Sequence, residues 1–330
     1  MTGNLTVEQE LPSNMAIMVS GVTTDSTTLF NPRMPDSYVG ALPQNAPYSA
    51  ITPGLGPMEL FYNQGVVHYL SLQTQLRNVS PSHGMQFQVN YNWSKDLTNN
   101  DDIFSTNKYG AGALNDPTCL SCEYARSAIN VTQKLEANYI YALPDNWGRV
   151  PKRISHGWET LGIFNIQSGF PFTIQASYGT LQYGNSRNSG FGHSMRPFFI
   201  QQAPRDPHHR AQYFTNAVIG GTAEGYNTGY WAEPTTISPV PGIGTVLTSP
   251  GNLGRNTYTS PSWWNLDASM IKDTPITKTT MLQLRAEFFN VLNHPTFGFP
   301  GTDIQSSGFG MITSTQSSER QMQFGARFVF

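Results

Sequence analysis

The chain has 330 residues, and its 19 basic and 21 acidic residues give a formal net charge of −2. This balance offers no positive surface for nucleic acid, and the lack of any run of about 18 apolar residues excludes a transmembrane helix. Charged residues make up only 12%, aromatic residues also make up 12%, and Gly (30) and Pro (23) are plentiful. Many turns, aromatics and uncharged polar residues indicate β structure, in a barrel wall that faces lipid or in a soluble β-sandwich.

The first half of the chain is predicted to form strands joined into hairpins. Two weaker strands, NLTVEQEL and NMAIMVSGV, open the sequence. HYLSLQTQLRN and GMQFQVNYNWSKD alternate apolar and polar residues, and the short polar link NVSPSHG between them predicts an antiparallel hairpin. QKLEANYIYALP continues the alternation, and GWETLGIFNIQSGFPFTIQAS continues it more weakly, with Pro171 marking a bend or bulge.

Alternation returns after the Gly/Pro/Asn-rich residues 178–260. SWWNLDASMI, TMLQLRAEFFN and the terminal QMQFGARFVF each separate apolar from polar residues with a period of two. The pattern predicts about ten strands, in hairpins with short turns at one end and long loops at the other. Met322, Phe324, Phe328 and Phe330 share one side of the last segment. We therefore expect a final strand that ends on Phe330 and closes a barrel against a first strand.

The composition of the polar sides favours lipid over water around the sheet. A soluble sandwich normally carries Lys and Glu on its water-facing side, whereas these strands carry mostly Gln, Asn and Ser. Outer-membrane strands alternate apolar-out with polar-in over roughly 10 residues between two aromatic girdles. The residues expected in the girdles are Trp93, Tyr139, Tyr141, Trp263, Trp264, Phe328 and Phe330. The residues expected to face lipid include Leu70, Leu72, Phe87, Val89, Leu282, Leu284, Phe324 and Phe328. The alternative is that the aromatics form a sandwich core.

The C-terminal segments carry a family resemblance. GNLGRNTYTSPSWWNLDASMIKD, LRAEFFNVLNHPTFGFPG and the Phe-terminated QMQFGARFVF resemble the end of Oar-like TonB-dependent receptors. GMQFQVNYNWSKD, ANYIYALP and GIFNIQSGFPFT resemble earlier barrel strands of that family, so the similarity covers essentially the whole chain. The resemblance implies that residues 1–330 are the C-terminal part of an all-β, antiparallel transmembrane barrel of about 22 strands with long extracellular loops.

The resemblance also sets expectations for domains and partners. Family members have a signal peptide, a regulatory-like β-sandwich and a plug domain, and this chain shows no counterpart of the three; MTGNLTVEQELPSN lacks a basic and an apolar signal region. The expected location is the outer membrane, with its lipid as partner. The barrel-assembly machinery would recognise the final strand through Met322, Phe324, Phe328 and Phe330, and TonB would engage the full-length receptor.

Several residue groups have types that can ligate metals or pair charges. Cys119 and Cys122 form a lone CxxC without the context of a zinc or redox site, which favours a short loop disulfide or an inert pair. Asp206, His208 and His209 could ligate a metal, but adjacent histidines point apart in an extended chain, so the three convergent ligands of a metal site would need help from outside this loop. Asn99 to Asp102 could attract calcium but lack the spacing of a calcium loop. Asp267, Arg285, Glu287 and Arg327 are expected to face the lumen as a structural charge ladder across strands.

Three functions are compatible with these patterns. The first is the barrel part of a TonB-dependent receptor, whose long loops bind a bulky substrate of unknown identity for uptake. The second is a structural or adhesive outer-membrane protein without transport, and the third is a soluble secreted β protein that binds glycans. No catalytic residue, cofactor or metal is predicted, since the sequence has no GxSxG, HExxH or phosphate-binding glycine loop.

Overall fold

The protein is described by a computed structural model. The residues that it describes are 1–33, 60–78, 81, 83–101, 119–145, 147–176, 196–206, 212–214, 228–232, 236–240, 244–247 and 251–330.

These residues form sixteen strands, a 3-10 turn and one short helix. In chain order the strands are β1 (Thr2–Leu11), β2 (Met15–Arg33), β3 (Leu60–Asn78), β4 (Met85–Thr98), β5 (Ala125–Arg126), β6 (Gln133–Ala142), β7 (Trp158–Gln167), β8 (Pro171–Phe172), β9 (Phe198–Phe199), β10 (Trp231–Ala232), β11 (Thr236–Val240), β12 (Gly244–Leu247), β13 (Tyr258–Thr259), β14 (Trp263–Pro275), β15 (Met281–Phe289) and β16 (Gln321–Val329). The 3-10 turn spans Leu120–Glu123, and helix α1 spans Lys152–Ser155. Within the described ranges, no helix has the length and apolarity needed to cross a membrane.

Nine long strands build one antiparallel sheet, which we call the wall. Its order is β1-β2-β3-β4-β6-β7-β14-β15-β16, and β5 continues the pairing of β4 beyond the end of β6. The prediction of an all-β antiparallel fold is confirmed. The bend or bulge predicted at Pro171 is also present, because β7 ends at Gln167 and Pro171 begins the separate strand β8.

The register of the wall places most of its large apolar residues on one face, while Ile140, Leu161, Ile163 and Ile271 lie on the other. Residues directly opposite each other in an antiparallel pair point to the same side of the sheet. The apolar face contains the opposed pairs Leu72 and Trp93, Phe87 and Tyr139, Phe164 and Leu266, and Leu282 and Phe328. The other face contains Gln73 opposite Asn92 and Gln283 opposite Arg327.

Among the described residues, large parts of the apolar face are left uncovered by protein. Leu70 is 50% exposed, Phe324 is 72% exposed and Phe328 is 58% exposed. A continuous exposed apolar face of this size needs a covering surface, and here the face extends over every strand of the wall. This is the arrangement expected when lipid covers the sheet.

The two ends of the wall differ in their connections. Residues 12–14, 79–84, 143–157 and 276–280 join strands at one end, which we call the short-turn end. Residues 34–59, 99–132, 168–262 and 290–320 join strands at the other, the long-loop end. The predicted contrast between short turns and long loops is therefore confirmed.

Several aromatic residues on the apolar face lie near the two ends of the strands. Trp93 and Trp264 lie toward the long-loop end, and Tyr139, Tyr141 and Phe328 lie toward the short-turn end. Trp263 is different from the prediction, because it pairs with Gln167 on the polar face. The period-two alternation that places Trp264 on the apolar face requires its neighbour to point the other way.

The C-terminal strand also differs from the prediction in two details. β16 ends at Val329, and Phe330 lies one residue beyond it with 92% of its surface exposed. β16 pairs with β15 alone among the described strands, so β1 and β16 are the two edges of an open sheet. The expected closure against a first strand is not present within these residues.

Candidate functional site

The hydrophobic core of the described structure lies in the long loops, not in the wall. Phe214 is at its centre, with ring centroids of Tyr213 at 5.1 Å, Trp231 at 4.9 Å, Tyr258 at 5.3 Å and Phe309 at 5.5 Å. We call this core the loop cluster; its residues are Phe172, Ile174, Ala176, Ala203, Tyr213, Phe214, Trp231, Leu253, Tyr258, Ile304, Phe309 and Ile312. Edge-to-face and offset aromatic contacts of this kind add stability beyond the area that they bury.

The loop cluster joins two different loops of the wall. β8 pairs with β13 inside the β7–β14 loop, opposing Phe172 and Tyr258. The backbone N–H of Tyr213 donates to the carbonyl of Gly310, and the N–H of Ile304 donates to the carbonyl of Gln175, so the β15–β16 loop is bonded to the same unit. Burial raises the pKa of the Tyr213 hydroxyl, which donates to the carbonyl of Thr259.

A buried ion network ties the β4–β6 loop to the β7–β14 loop. Arg196 donates two hydrogen bonds to the carboxylate of Glu123, at 2.6 and 2.8 Å, and both side chains are almost completely buried. Arg255 donates to the carboxylate of Asp101 and to the carbonyls of Thr98 and Glu123. These four charged residues, Asp101, Glu123, Arg196 and Arg255, are the ion network.

The electrostatics of the network keep Arg255 charged. Burial lowers the pKa of Arg255, while Asp101 and Glu123 oppose that change. An arginine side chain stays protonated in proteins, so its fixed donors hold the two loops together over the whole physiological pH range. Removing one partner of such a pair leaves an uncompensated buried charge, which is strongly destabilising.

The GNLGRN segment at residues 251–256 supplies the centre of these contacts. Asn256 has a positive φ of 52° and is buried; its amide donates to Asp101 and to the carbonyl of Arg126, both at 2.8 Å. Gly251 is required by close approach, because a Cβ atom there would lie 1.9 Å from the carbonyl oxygen of Arg196. This segment, which carries part of the family resemblance, therefore connects the β4–β6 loop with the rest of the β7–β14 loop. The loop cluster and the ion network together are called the loop assembly.

The predicted sites are distributed around this assembly. Cys119 and Cys122 are joined by a disulfide across the 3-10 turn that ends in Glu123. Asn99 and Asp101 belong to structural contacts: the amide of Asn99 donates to the carbonyl of Gln64, and Asp101 pairs with Arg255. His208 and His209 lie outside the described residues, and no group of three metal-ligating residues occurs in the described part of the chain.

The four residues of the predicted charge ladder share the polar face but do not join strands. Arg285 pairs with Glu287 on the same strand, at 3.4 Å, and Gln323 is the residue opposite Glu287. Asp267 accepts hydrogen bonds from the Asn265 amide and the backbone N–H of Asn290, both at 2.8 Å. Arg327 lies opposite Gln283. The register sets acidic and basic residues opposite neutral ones, so the cross-strand ladder that the sequence suggests does not form between these positions.

The loop assembly was missed in the sequence because its residues are scattered. Tyr213, Phe214 and Trp231 occur singly or in pairs among Gly, Pro and Asn, with no period of two or 3.6 to mark them. Two features of the sequence could have indicated the loop assembly. Arg196 and Arg255 occur in a loop with few other charges, and the same loop contains large aromatic residues that are unusual in a solvated loop.

An antiparallel sheet with an uncovered apolar face, aromatics near both strand ends and long loops at one end defines the class of transmembrane β-barrels. The sequence model of the protein family described as outer membrane beta barrel domain matches residues 1–323, and the chain belongs to that family. It is accordingly an outer-membrane protein domain, which excludes the soluble secreted alternative. No curated protein matches the chain.

Among solved structures, the chain is similar to the outer membrane transporter YddB from Escherichia coli, with 11% sequence identity and a TM-score of 0.46. The match covers 99% of this chain and 32% of the transporter chain.

Proposed function

We propose that this domain is the C-terminal barrel wall of an Oar-like TonB-dependent receptor that takes up a bulky substrate across the outer membrane. The observation that carries the proposal is the loop assembly. Two long loops share one aromatic core, and a third is fastened to it by buried ion pairs. Binding residues are commonly placed on loops that a rigid scaffold positions, and this assembly holds its loops in a fixed arrangement.

The polar face supports the same proposal. It presents Gln75, Gln88 and Asn90, whose amides form hydrogen bonds with each other at 3.0 and 3.1 Å. Amide side chains offer both donors and acceptors to water and to polar solutes. Such a face suits the inner surface of a water-filled or plugged barrel, in contrast to the apolar face.

The proposed role is tested by energy dependence in the full-length protein. Cells that produce the full-length receptor should accumulate its substrate only when TonB is present. When the substrate is supplied as the sole source of a nutrient, loss of the receptor gene should abolish growth. Surface display and adhesion that persist unchanged without TonB, with no nutrient phenotype, would favour the structural or adhesive alternative.

A further inference from the structure

The turn between β6 and β7, residues 143–157, differs from the other short turns in its exposed side chains. It contains Arg149, Lys152 and Arg153, all exposed. None of the three forms an ion pair within the described ranges. The only acidic residue of the turn is Asp145, in a protein whose net charge is −2. The turn is thus a local positive surface without a protein partner among the described residues.

The same turn exposes apolar side chains beside these cations. Ile154 is 55% exposed, Trp147 is 40% exposed and Val150 is 38% exposed. A solvated turn normally has no need for three large apolar side chains. Apolar residues beside Lys and Arg are the combination found on protein surfaces that lie at the boundary between lipid headgroups and acyl chains.

Contacts place the turn on the lipid side of the wall. Trp158, the first residue of β7, lies opposite Lys272 on the apolar face. Its indole N–H donates to the carbonyl of Ile154 at 2.6 Å, and Trp147 stacks on it with ring centroids 6.3 Å apart and planes inclined by 14°. The turn therefore folds over the outer surface of the wall and continues the apolar face.

Lys272 is a cation on the apolar face beside this turn. Its ammonium lies 5.7 Å from the centre of the Trp158 ring and donates to the carbonyls of His156 and Asp273, at 2.6 and 3.0 Å. The side chain begins on the apolar face and turns back toward the short-turn end, as long cationic side chains do near a membrane interface. Arg149, Lys152 and Arg153 lie farther from the wall strands than Lys272, in the turn itself.

We propose that residues 147–158 form a binding site for anionic phospholipid headgroups in the periplasmic leaflet of the outer membrane. Short turns of outer-membrane barrels face the periplasm, so the turn meets the phospholipid leaflet. The three cations contact the lipid phosphate, while Trp147, Val150 and Ile154 insert beside the acyl chains. The site is independent of transport, because it requires only the wall, the turn and the membrane.

The test compares lipid selectivity of the full-length protein in phosphatidylcholine vesicles. Electron paramagnetic resonance of spin-labelled phosphatidylglycerol and phosphatidylcholine gives the relative association of each lipid with the protein. The wild type should prefer phosphatidylglycerol by about fivefold or more, which is the factor expected from one cation near an anionic surface. The variant R149Q/K152Q/R153Q should show no preference.

A matched control removes three cations outside the turn, two on the polar face and one at the long-loop end. K134Q/R285Q/R320Q makes the same change in net charge and should keep the wild-type selectivity. The charge-preserving R149K/R153K should also keep it, which guards against a misfolded turn. In the wild type, added NaCl should reduce the preference, as screening requires. An unchanged preference in the triple variant, an equal loss in the control, or a wild-type preference insensitive to salt would overturn the proposal.

Discussion

Replacing Arg255 with Leu should open the loop assembly without unfolding the wall. Arg255 is 2% exposed and is the donor to the Asp101 carboxylate and to two backbone carbonyls. Removing one member of a buried pair typically costs about 3–5 kcal/mol. Because local opening has its own free energy, distinct from that of global unfolding, this loss should fall on the loops.

The opening is measured by limited proteolysis of the full-length protein. About 3 kcal/mol corresponds to roughly a 100-fold increase in the open population, and cleavage follows that population when reclosing is fast. Cleavage within the loops of Arg255→Leu should therefore be about 100 times faster, while the heat-dependent gel mobility of the folded barrel is unchanged.

Two controls separate the buried charge from a general effect of losing arginine. Arg77→Leu breaks an ion pair with Glu8 in which both side chains are 40% or more exposed, and exposed pairs contribute about 0–1 kcal/mol. The double variant of Arg255→Leu with Asp101→Leu should recover part of the loss, since it removes the stranded carboxylate as well. Equal cleavage rates in the Arg255 and Arg77 variants would refute the structural role of the ion network.

Other predictions concern the wall and the loop disulfide. Met270→Arg on the apolar face should lower the free energy of unfolding by about 2–4 kcal/mol if this position lies near the bilayer midplane. Ser269→Arg should lower it only slightly, because Glu287 lies opposite on the polar face. Equal losses of the two variants in refolding titrations would contradict the assigned faces. Deleting Phe328–Phe330 should abolish outer-membrane accumulation, since it removes the last ladder pairs of β16, and normal surface levels would show that the terminal aromatics are incidental. C119S/C122S should weaken the loop assembly by about 2 kcal/mol, the chain-entropy value for so short a ring; unchanged loop proteolysis would contradict this.

The wall was predictable from the sequence because its residues follow a period that the pleat imposes. Leu72, Phe87 and Leu282 alternate with polar neighbours, and a one-residue slip would turn every one of them to the wrong side. The same rule explains the error at Trp263, since two adjacent tryptophans cannot both lie on the apolar face. The closure that the sequence suggested is absent from the described strands. The partner of an edge strand is set by pairing between distant segments, which the alternation within one strand does not determine.

The loop assembly depends on long-range contacts that leave no periodic trace. Arg255 and Asp101 are separated by 154 positions, and Arg196 and Glu123 by 73. The predicted charge ladder does not match the contacts for a related reason. The face of Arg285 and Glu287 follows from alternation, but their partners follow from the register, which the sequence of one strand does not determine.

The most direct test of the account is the sidedness of the two ends in intact cells. Cysteines replace Ile129, which is 76% exposed at the long-loop end, or Ile276, which is 51% exposed at the short-turn end. Cys119 and Cys122 are joined in a disulfide and should not react. A membrane-impermeant maleimide should label the Ile129→Cys protein in intact cells and the Ile276→Cys protein only after the outer membrane is permeabilised. Labelling of the short-turn end alone in intact cells, or of both ends in a protein that fractionates away from the membrane, would contradict the outer-membrane barrel.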